Sequence, residues 1–485
     1  MAFYGSTAME PNNANPFKPL DQAGMKPLHV KYTLVAAMGT FTDGYDLSVL
    51  AVVLPYVLAS FGVTKLTSPE GVFWATWLNA LPIFGFFVGA PLFGWLANKG
   101  RKTFYGWDAL TMAIGAGIQP FMPNLPALAV ARFIMGIGLG ADYVLSPMII
   151  AETANAKDRG KLMAMGFAGF LVTGMAVAAA LVLAMTAAGV PNDTVWRVAL
   201  GLGAVWPALV VYIRRKFPET PRYSVLIKND WEEYKKFFRA VFGHHENVPT
   251  GRYELSHEDE EMVQLFRKYL KFILVGAILW LIFDIPFYGL SFFSAYIAQS
   301  IKMNAAQLLL LGTAMSVPGT LLAWLLIDRM GRKPLEFWGF LLTGLTFMIF
   351  SYFVYQYAGA PNAAQLLFLP TILGYGLART FLQMGPGFVA AGMHGVELTP
   401  TKIRAIGHAI NVIGGRTGVL ITTFVFPRLF TANAYTAYIF LGVVSLIGAL
   451  ITLALVPETK MKGLEEISAE LVEVREPAGA RAGQR

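Results

Sequence analysis

The sequence predicts an all-α membrane protein with twelve transmembrane helices in two pseudo-symmetric six-helix halves. Three observations predict it. Apolar stretches of roughly 20 residues, the length that spans a bilayer core, recur about twelve times along the chain. Basic residues crowd into every second connection between these stretches, and three short motifs of the first half return in the same order in the second. The composition agrees: of 485 residues, 55% are hydrophobic and 14% charged, with a mean hydropathy of +0.53.

The first six spans fall near 31–62, 71–97, 103–122, 125–152, 160–187 and 194–213. The second six fall near 269–299, 304–327, 334–357, 364–393, 402–430 and 434–456. Gly and Pro within them would break soluble helices, but a membrane bundle tolerates both. Lys99, Arg101 and Lys102 separate the second span from the third; Lys157, Arg159 and Lys161 the fourth from the fifth. Arg214, Arg215 and Lys216 open the long segment after the sixth, Arg329, Arg332 and Lys333 follow the eighth, and Lys402 and Arg404 follow the tenth. The alternate connections carry Lys65, Lys302 and little else. Positive residues stay inside, so both termini are expected to be cytoplasmic, in a multi-pass protein of the cell membrane. The domains expected are an N-terminal tail (1–30), a six-helix bundle (31–213), a cytoplasmic linker with short amphipathic helices (214–268), a second bundle (269–456) and a C-terminal tail (457–485). The net charge of +8 follows from the loop bias and implies no nucleic-acid partner. No apolar stretch in the first thirty residues suggests a cleaved signal, and the absence of cysteine excludes disulfides and thiolate metal sites.

GRK at 100–102 recurs at 331–333, PET at 218–220 recurs at 457–459, and the Glu152/Arg159 spacing recurs as Glu397/Arg404. Two six-span repeats are the architecture of a secondary transporter. IDRMGRKP at 327–334 and RFIMGIGLG at 132–140 resemble motifs of the major facilitator superfamily. Within it, FTDGYDL (41–47), GADYVLSPMIIAETANAKDRG (140–160), FPETPRYSVLIKN (217–229), WLIFDIPFYG (280–289) and VPETKMKGLEEIS (456–468) resemble signatures of the phosphate:proton symporters, which are related to sugar porters. Five matches in order make the resemblance specific.

Trp280, Asp284 and Tyr288 are spaced by four and share one helix face, with Pro286 and Gly289 expected to break the helix at that depth. An ionisable group there is costly, so it marks a function rather than a packed helix with a locally bonded acid. The resemblance implies substrate contacts at Trp280, Asp284, Tyr288 and Tyr143, with Asp284 also a proton carrier. Asp43 and Asp46 on the first span and Asp142 on the fourth need partners, and Arg132 is the nearest basic residue along the chain. Ion pairing is the plainer account; a proton relay is the sharper one, favoured by the resemblance for Asp43 and Asp142. Arg416, where the phosphate family carries lysine, is expected to bind an anion at the depth of Asp284, which neutralises it when the site is empty. Arg379, mid-span in the tenth helix, is a possible second anion contact without a family counterpart. Glu152, Arg159, Arg101, Asp328, Arg332, Glu397 and Arg404 are expected to form gating clusters facing water at the membrane edge, where single pairs contribute little.

Departures from the family shape the substrate expectation. Its fifth-helix glutamine falls on Phe170 and its tenth-helix asparagine on Gly387, or on Phe388 counting back from Glu397, which removes two neutral donors and points from phosphate toward an organic acid or another metabolite with a hydrophobic body. Asn98 replaces the acid of the first-half loop, so gating there is expected to be weaker. No HExxH, GxSxG or paired His marks an enzyme; His394 and His408 stand apart. The expected function is proton-coupled symport of a small anion, phosphate or an organic acid, by a monomer without cofactor or metal, whose partners are substrate, proton and the lipid bilayer. The alternatives are a proton-coupled sugar or neutral-metabolite symporter and, more remotely, a non-transporting nutrient sensor.

Overall fold

The computed structural model describes residues 15–66, 68–243, 254–255 and 260–472. Twelve spans run through it. In the first half α1 is Pro27–Ser60, α2 Pro69–Ala97, α3 Trp107–Ile118, α4 Leu125–Thr153, α5 Arg159–Ala187 and α6 Asn192–Arg215. In the second, α7 is Met262–Phe292, α8 Ala305–Met330, α9 Arg332–Tyr357, α10 Ala363–Met384, α11 Arg404–Ala432 and α12 Ala434–Leu455. Eleven are individually long and apolar enough to cross a membrane. The exception is α3, which Gly106, at φ 111°, separates from the short turn Arg101–Phe104.

The halves repeat one packing plan. In the first, α1 packs on α5, α2 on α4 and α3 on α6; in the second, α7 packs on α11, α8 on α10 and α9 on α12. The halves meet where α2 touches α11 and α5 touches α8. Leu209, Tyr212, Leu321, Ile349, Leu369 and Leu450 stand exposed on outer faces, as helices bathed in lipid require. The linker folds as the short helices Pro221–Leu226 and Trp231–Phe242, and Phe17 packs against them with Val225, Leu226, Tyr234 and Phe238. Linker residues 244–253 and 256–259 and the outer parts of both tails lie outside the described residues, and Glu254–Leu255 pairs with Leu471–Val472.

Two expectations about span interiors are corrected. α7 runs unbroken through Pro286 and Gly289 and stops only at Phe293. Thr422 of α11 donates to the Ile285 carbonyl at 3.1 Å, a bond from a neighbouring helix that ties α7 to α11 beside the proline. The broken span is the tenth: α10 ends at Met384, Pro386 starts a new turn, and a π-helical turn at Val389–Met393 leads to Glu397.

Candidate functional site

The face of α7 that carries Trp280, Asp284 and Tyr288 meets Arg416 of α11. Arg416 Nη1 donates to the Tyr288 hydroxyl at 3.0 Å, and Nη2 lies 3.2 Å from Asp284 Oδ2. That ion pair lacks hydrogen-bond geometry, which leaves both Asp284 oxygens without a hydrogen-bond partner. The guanidinium carbon sits 4.7 Å from the ring of Phe86, 4.6 Å from Tyr143, 5.2 Å from Tyr288 and 5.9 Å from Trp280. Each ring face contributes about 0.5–2 kcal/mol, and together they offset much of the several kcal/mol that burying the charge costs. Phe86 belongs to α2 and Tyr143 to α4, so the cage spans both halves. His408 of α11 ties it across the interface: its ring lies 5.7 Å from Trp280 and its Nε2 donates to the Tyr143 carbonyl at 2.9 Å. Gly415 lies flat against the Trp280 indole, where a Cβ would collide.

Phe167, not Phe170, closes this cage, 5.4 Å from Tyr143 and 6.2 Å from Trp280. A π-helical turn at Ala164–Gly169 rotates the register of α5, and Phe170 instead lines a lateral crevice with Val317, Thr320, Leu321 and Trp324 of α8. At Gly387 the missing side chain leaves space that Gln383 Oε1 occupies.

The buried acids of the first half do not share Arg132. Asp142 pairs with Arg214, a residue whose place in a basic run suggested a loop charge. Arg214 is buried at the end of α6, and its Nη1 donates to Asp142 Oδ1 and to Asp108 Oδ2, each at 2.5 Å. Ser146 adds a hydrogen bond to Asp142 at 2.7 Å. Gly39 of α1 leaves room for the pair, since a Cβ there would overlap Asp142 and Arg214. Arg132 donates to the Leu78 carbonyl at 2.8 Å and to Gln119 Oε1 at 3.4 Å, and Asp46 reaches it only through charge. Asp43 has no hydrogen-bond partner on either oxygen, while the charges of Asp142, Arg416, Asp46 and Arg214 all bear on it. Arg379 lies outside the cage, with Nη2 donating to Ser291 Oγ at 2.8 Å.

On the face that carries the basic loops, the predicted gating residues form two matching clusters, each crossing between halves. Glu152 Oε1 accepts from Arg101 of its own half at 3.2 Å and from Arg404 of the other at 2.9 Å. Glu397 Oε1 accepts from Arg332 of its own half at 3.3 Å and from Arg159 of the other at 2.7 Å. Thr220 and Thr459, the threonines of the two PET motifs, donate to Glu152 and Glu397, each at 2.5 Å. Neither threonine stood out in the sequence, although the repeated motif was the signal. Contrary to the expectation of water-facing pairs, Glu152, Arg159, Arg332, Glu397 and Arg404 are all buried. Asp328 gives Arg332 a second acid at 2.9 Å and accepts from the Lys161 amide at 3.1 Å. Asn98 offers Arg101 nothing comparable, since its amide has no partner. Beneath the first cluster, Arg222 joins Asp21 at 2.7 Å, Glu465 at 2.5 Å and the Glu152 carbonyl at 2.7 Å, tying the segment before α1 and the segment after α12 to α4.

Residues 32–471 match the family described as sugar (and other) transporter. Among curated relatives, the probable inorganic phosphate transporter 1-6 of Arabidopsis thaliana is 30% identical over 505 residues, covering 93% of this chain and 96% of the relative. The repressible high-affinity phosphate permease of Neurospora crassa is 29% identical over 531 residues, covering 93% and 88%. A solved major facilitator superfamily proton:xylose symporter, bound to 6-bromo-6-deoxy-D-glucose, superposes with a TM-score of 0.74 at 22% identity over 92% of this chain and 99% of its own, a likeness of fold. Twelve spans in two repeated halves, a charged cage between them and a match over nearly the whole length carry one conclusion: the chain belongs to the sugar (and other) transporter family and has the fold of a solved major facilitator superfamily symporter.

Proposed function

We propose that the protein is a proton-coupled symporter of a small anion. It works by alternating access as a monomer in the cell membrane, with both termini cytoplasmic. The observation that carries this reading is the buried Arg416–Asp284 pair, whose poor alignment leaves the carboxylate replaceable. An arriving oxyanion takes two N–H groups of the guanidinium at once and displaces Asp284. A carboxylate that loses its counter-ion in a dry site takes up a proton, so anion and proton enter together. Asp43, with no hydrogen bond of its own and under the charges of both Arg416 and Asp142, is the next station for that proton. The cytoplasmic clusters around Glu152 and Glu397 hold the inner side shut until the loaded site turns inward. Relatives named as phosphate transporters make phosphate the first anion to test, and the aromatic walls make an organic carboxylate the second.

Reconstituted protein assayed for uptake of phosphate, carboxylates and sugars under an imposed pH gradient tests the reading. Anion uptake is expected to rise with an inward proton gradient, to collapse with an uncoupler, and to lose gradient-driven accumulation in Asp284→Asn. Uptake of neutral sugars alone, or anion uptake indifferent to both treatments, contradicts it.

A further inference from the structure

Arg379 stands apart from the charge pairs around it. It is 0% exposed, and among the described residues no carboxylate pairs with it. Its Nη2 donates to Ser291 Oγ at 2.8 Å and to the Tyr375 hydroxyl at 3.3 Å, its guanidinium carbon lies 5.0 Å from the Phe287 ring, and its Nε has no partner. One turn along the same face of α10, Gln383 is equally buried, and neither its amide nitrogen nor its oxygen has a partner. A guanidinium and a primary amide in one dry place supply more donors than the protein's own acceptors use. A brace between α10 and α7 is the plainer account. Two bonds to neutral hydroxyls and the Phe287 and Tyr375 ring faces leave Nε unpartnered and do not fully offset the burial of a guanidinium, however, and the brace leaves Gln383 unexplained.

The position of the cluster indicates its use. Ser291, which anchors Arg379, follows Tyr288, which anchors Arg416, by three residues, or about 4.5 Å of rise along α7. Farther along the same chain, Ala295 and Gln299 line a cavity of about 870 Å³ on the side away from the basic loops, together with Lys65 and Lys302. From the other half, Arg379 Nη1 lies 3.9 Å from Met175 Sδ of α5, and Val182, two turns on, lines the same cavity. Both halves therefore place Arg379 between that cavity and the Arg416 cage.

We propose that Arg379, with Ser291, Tyr375 and Gln383, forms an outer subsite for a small oxyanion, receiving it from the cavity of Lys65 and Lys302 and handing it to Arg416. The proposal rests on the anion reading of the central site. Its test is sidedness. Wild-type, Arg379→Gln, Arg379→Lys and Gln383→Leu proteins in proteoliposomes are assayed for uptake of inorganic phosphate and, separately, of succinate, from the cavity side and from the basic-loop side. Arg379→Gln is expected to raise KM about tenfold from the cavity side alone, with turnover little changed. Arg379→Lys restores part of the affinity. Gln383→Leu, which removes no bond the protein makes, weakens binding in the same sense and decides the matter should Arg379→Gln fail to fold. Unshifted cavity-side KM in these variants, or equal shifts from both sides, overturns the outer subsite alone. Wild-type protein that carries neither anion overturns the anion reading and this proposal with it.

Discussion

A guanidinium without water must find its partners in the protein, and Arg416 and Arg214 do so in opposite ways. Arg214 holds two carboxylates by short bonds, whereas Arg416 leans on four aromatic faces, one hydroxyl and one badly aligned carboxylate. The first arrangement pairs the guanidinium with two acids; the second, on the anion reading, leaves a place for a visitor. The apolar wall that meets that visitor is set by Phe167. Phe167→Gln adds one hydrogen bond to a charged ligand, worth about tenfold, and is expected to shift preference toward phosphate over carboxylates by that order in competition uptake. Phe170→Gln, in the lateral crevice, is expected to leave preference unchanged, and the reverse pattern would contradict the register assigned to α5. Asp284 and Arg416 were legible because a lone charge in an apolar run has no bland reason to be there. Arg214 was not, because at the edge of a span it reads like any loop arginine, and Asp108 escaped for the same reason at the start of the third.

At the scale of elements, most span positions followed from hydropathy to within a few residues, but α7 starts at Met262 rather than near 269, α10 breaks at Met384 rather than near 393, and irregular turns did not follow at all. A π-helical turn re-aims the helix face without any composition of its own, so the count from Arg159 points to Phe170, whereas Phe167 faces the cage and Phe170 the lateral crevice. Proline likewise marked α7 for a break, yet a threonine on a neighbouring helix, invisible to a local reading, bonds to the backbone beside it. The C-terminal segment after α12 carries a further consequence. Glu470 accepts from the Thr401 amide, from the Thr401 hydroxyl at 3.0 Å, and lies 3.8 Å from Arg404. Burial pushes its carboxyl up to about 7, with Arg404 pulling the other way. The docked carboxyl thus holds its proton more tightly than the free chain does. Docking is strongest below the ordinary carboxylate range and weakens as pH rises toward 7. With no native cysteine, a spin label at Glu466→Cys reports it directly: mobility is expected to rise from about pH 5 to about pH 8 and to stay flat in Glu470→Gln. A flat wild-type profile contradicts the assignment.

For the whole molecule, the proposed function makes the gate and the site one balance. Each buried glutamate of the basic face is shared by an arginine from either half, so separating the halves there leaves unpaired charges in a dry interface, at about 3–5 kcal/mol per broken pair. Only water entering as that face opens, or compensation elsewhere, offsets such a cost, which makes closure of that face firm in this structure. The repeated GRK, PET and Glu-to-Arg spacings made this symmetry readable in the sequence, but its burial was not readable, because loop residues carry no label for depth. The central claim is that an oxyanion replaces Asp284 on Arg416 and that Asp284 takes a proton as it leaves. Proton uptake on binding tests it most directly: purified protein in weakly buffered detergent solution near neutral pH, titrated with the transported anion while pH is followed. About one proton taken up per anion bound, absent in Asp284→Asn, is the result predicted; binding without proton uptake, or equal uptake in Asp284→Asn, would contradict it.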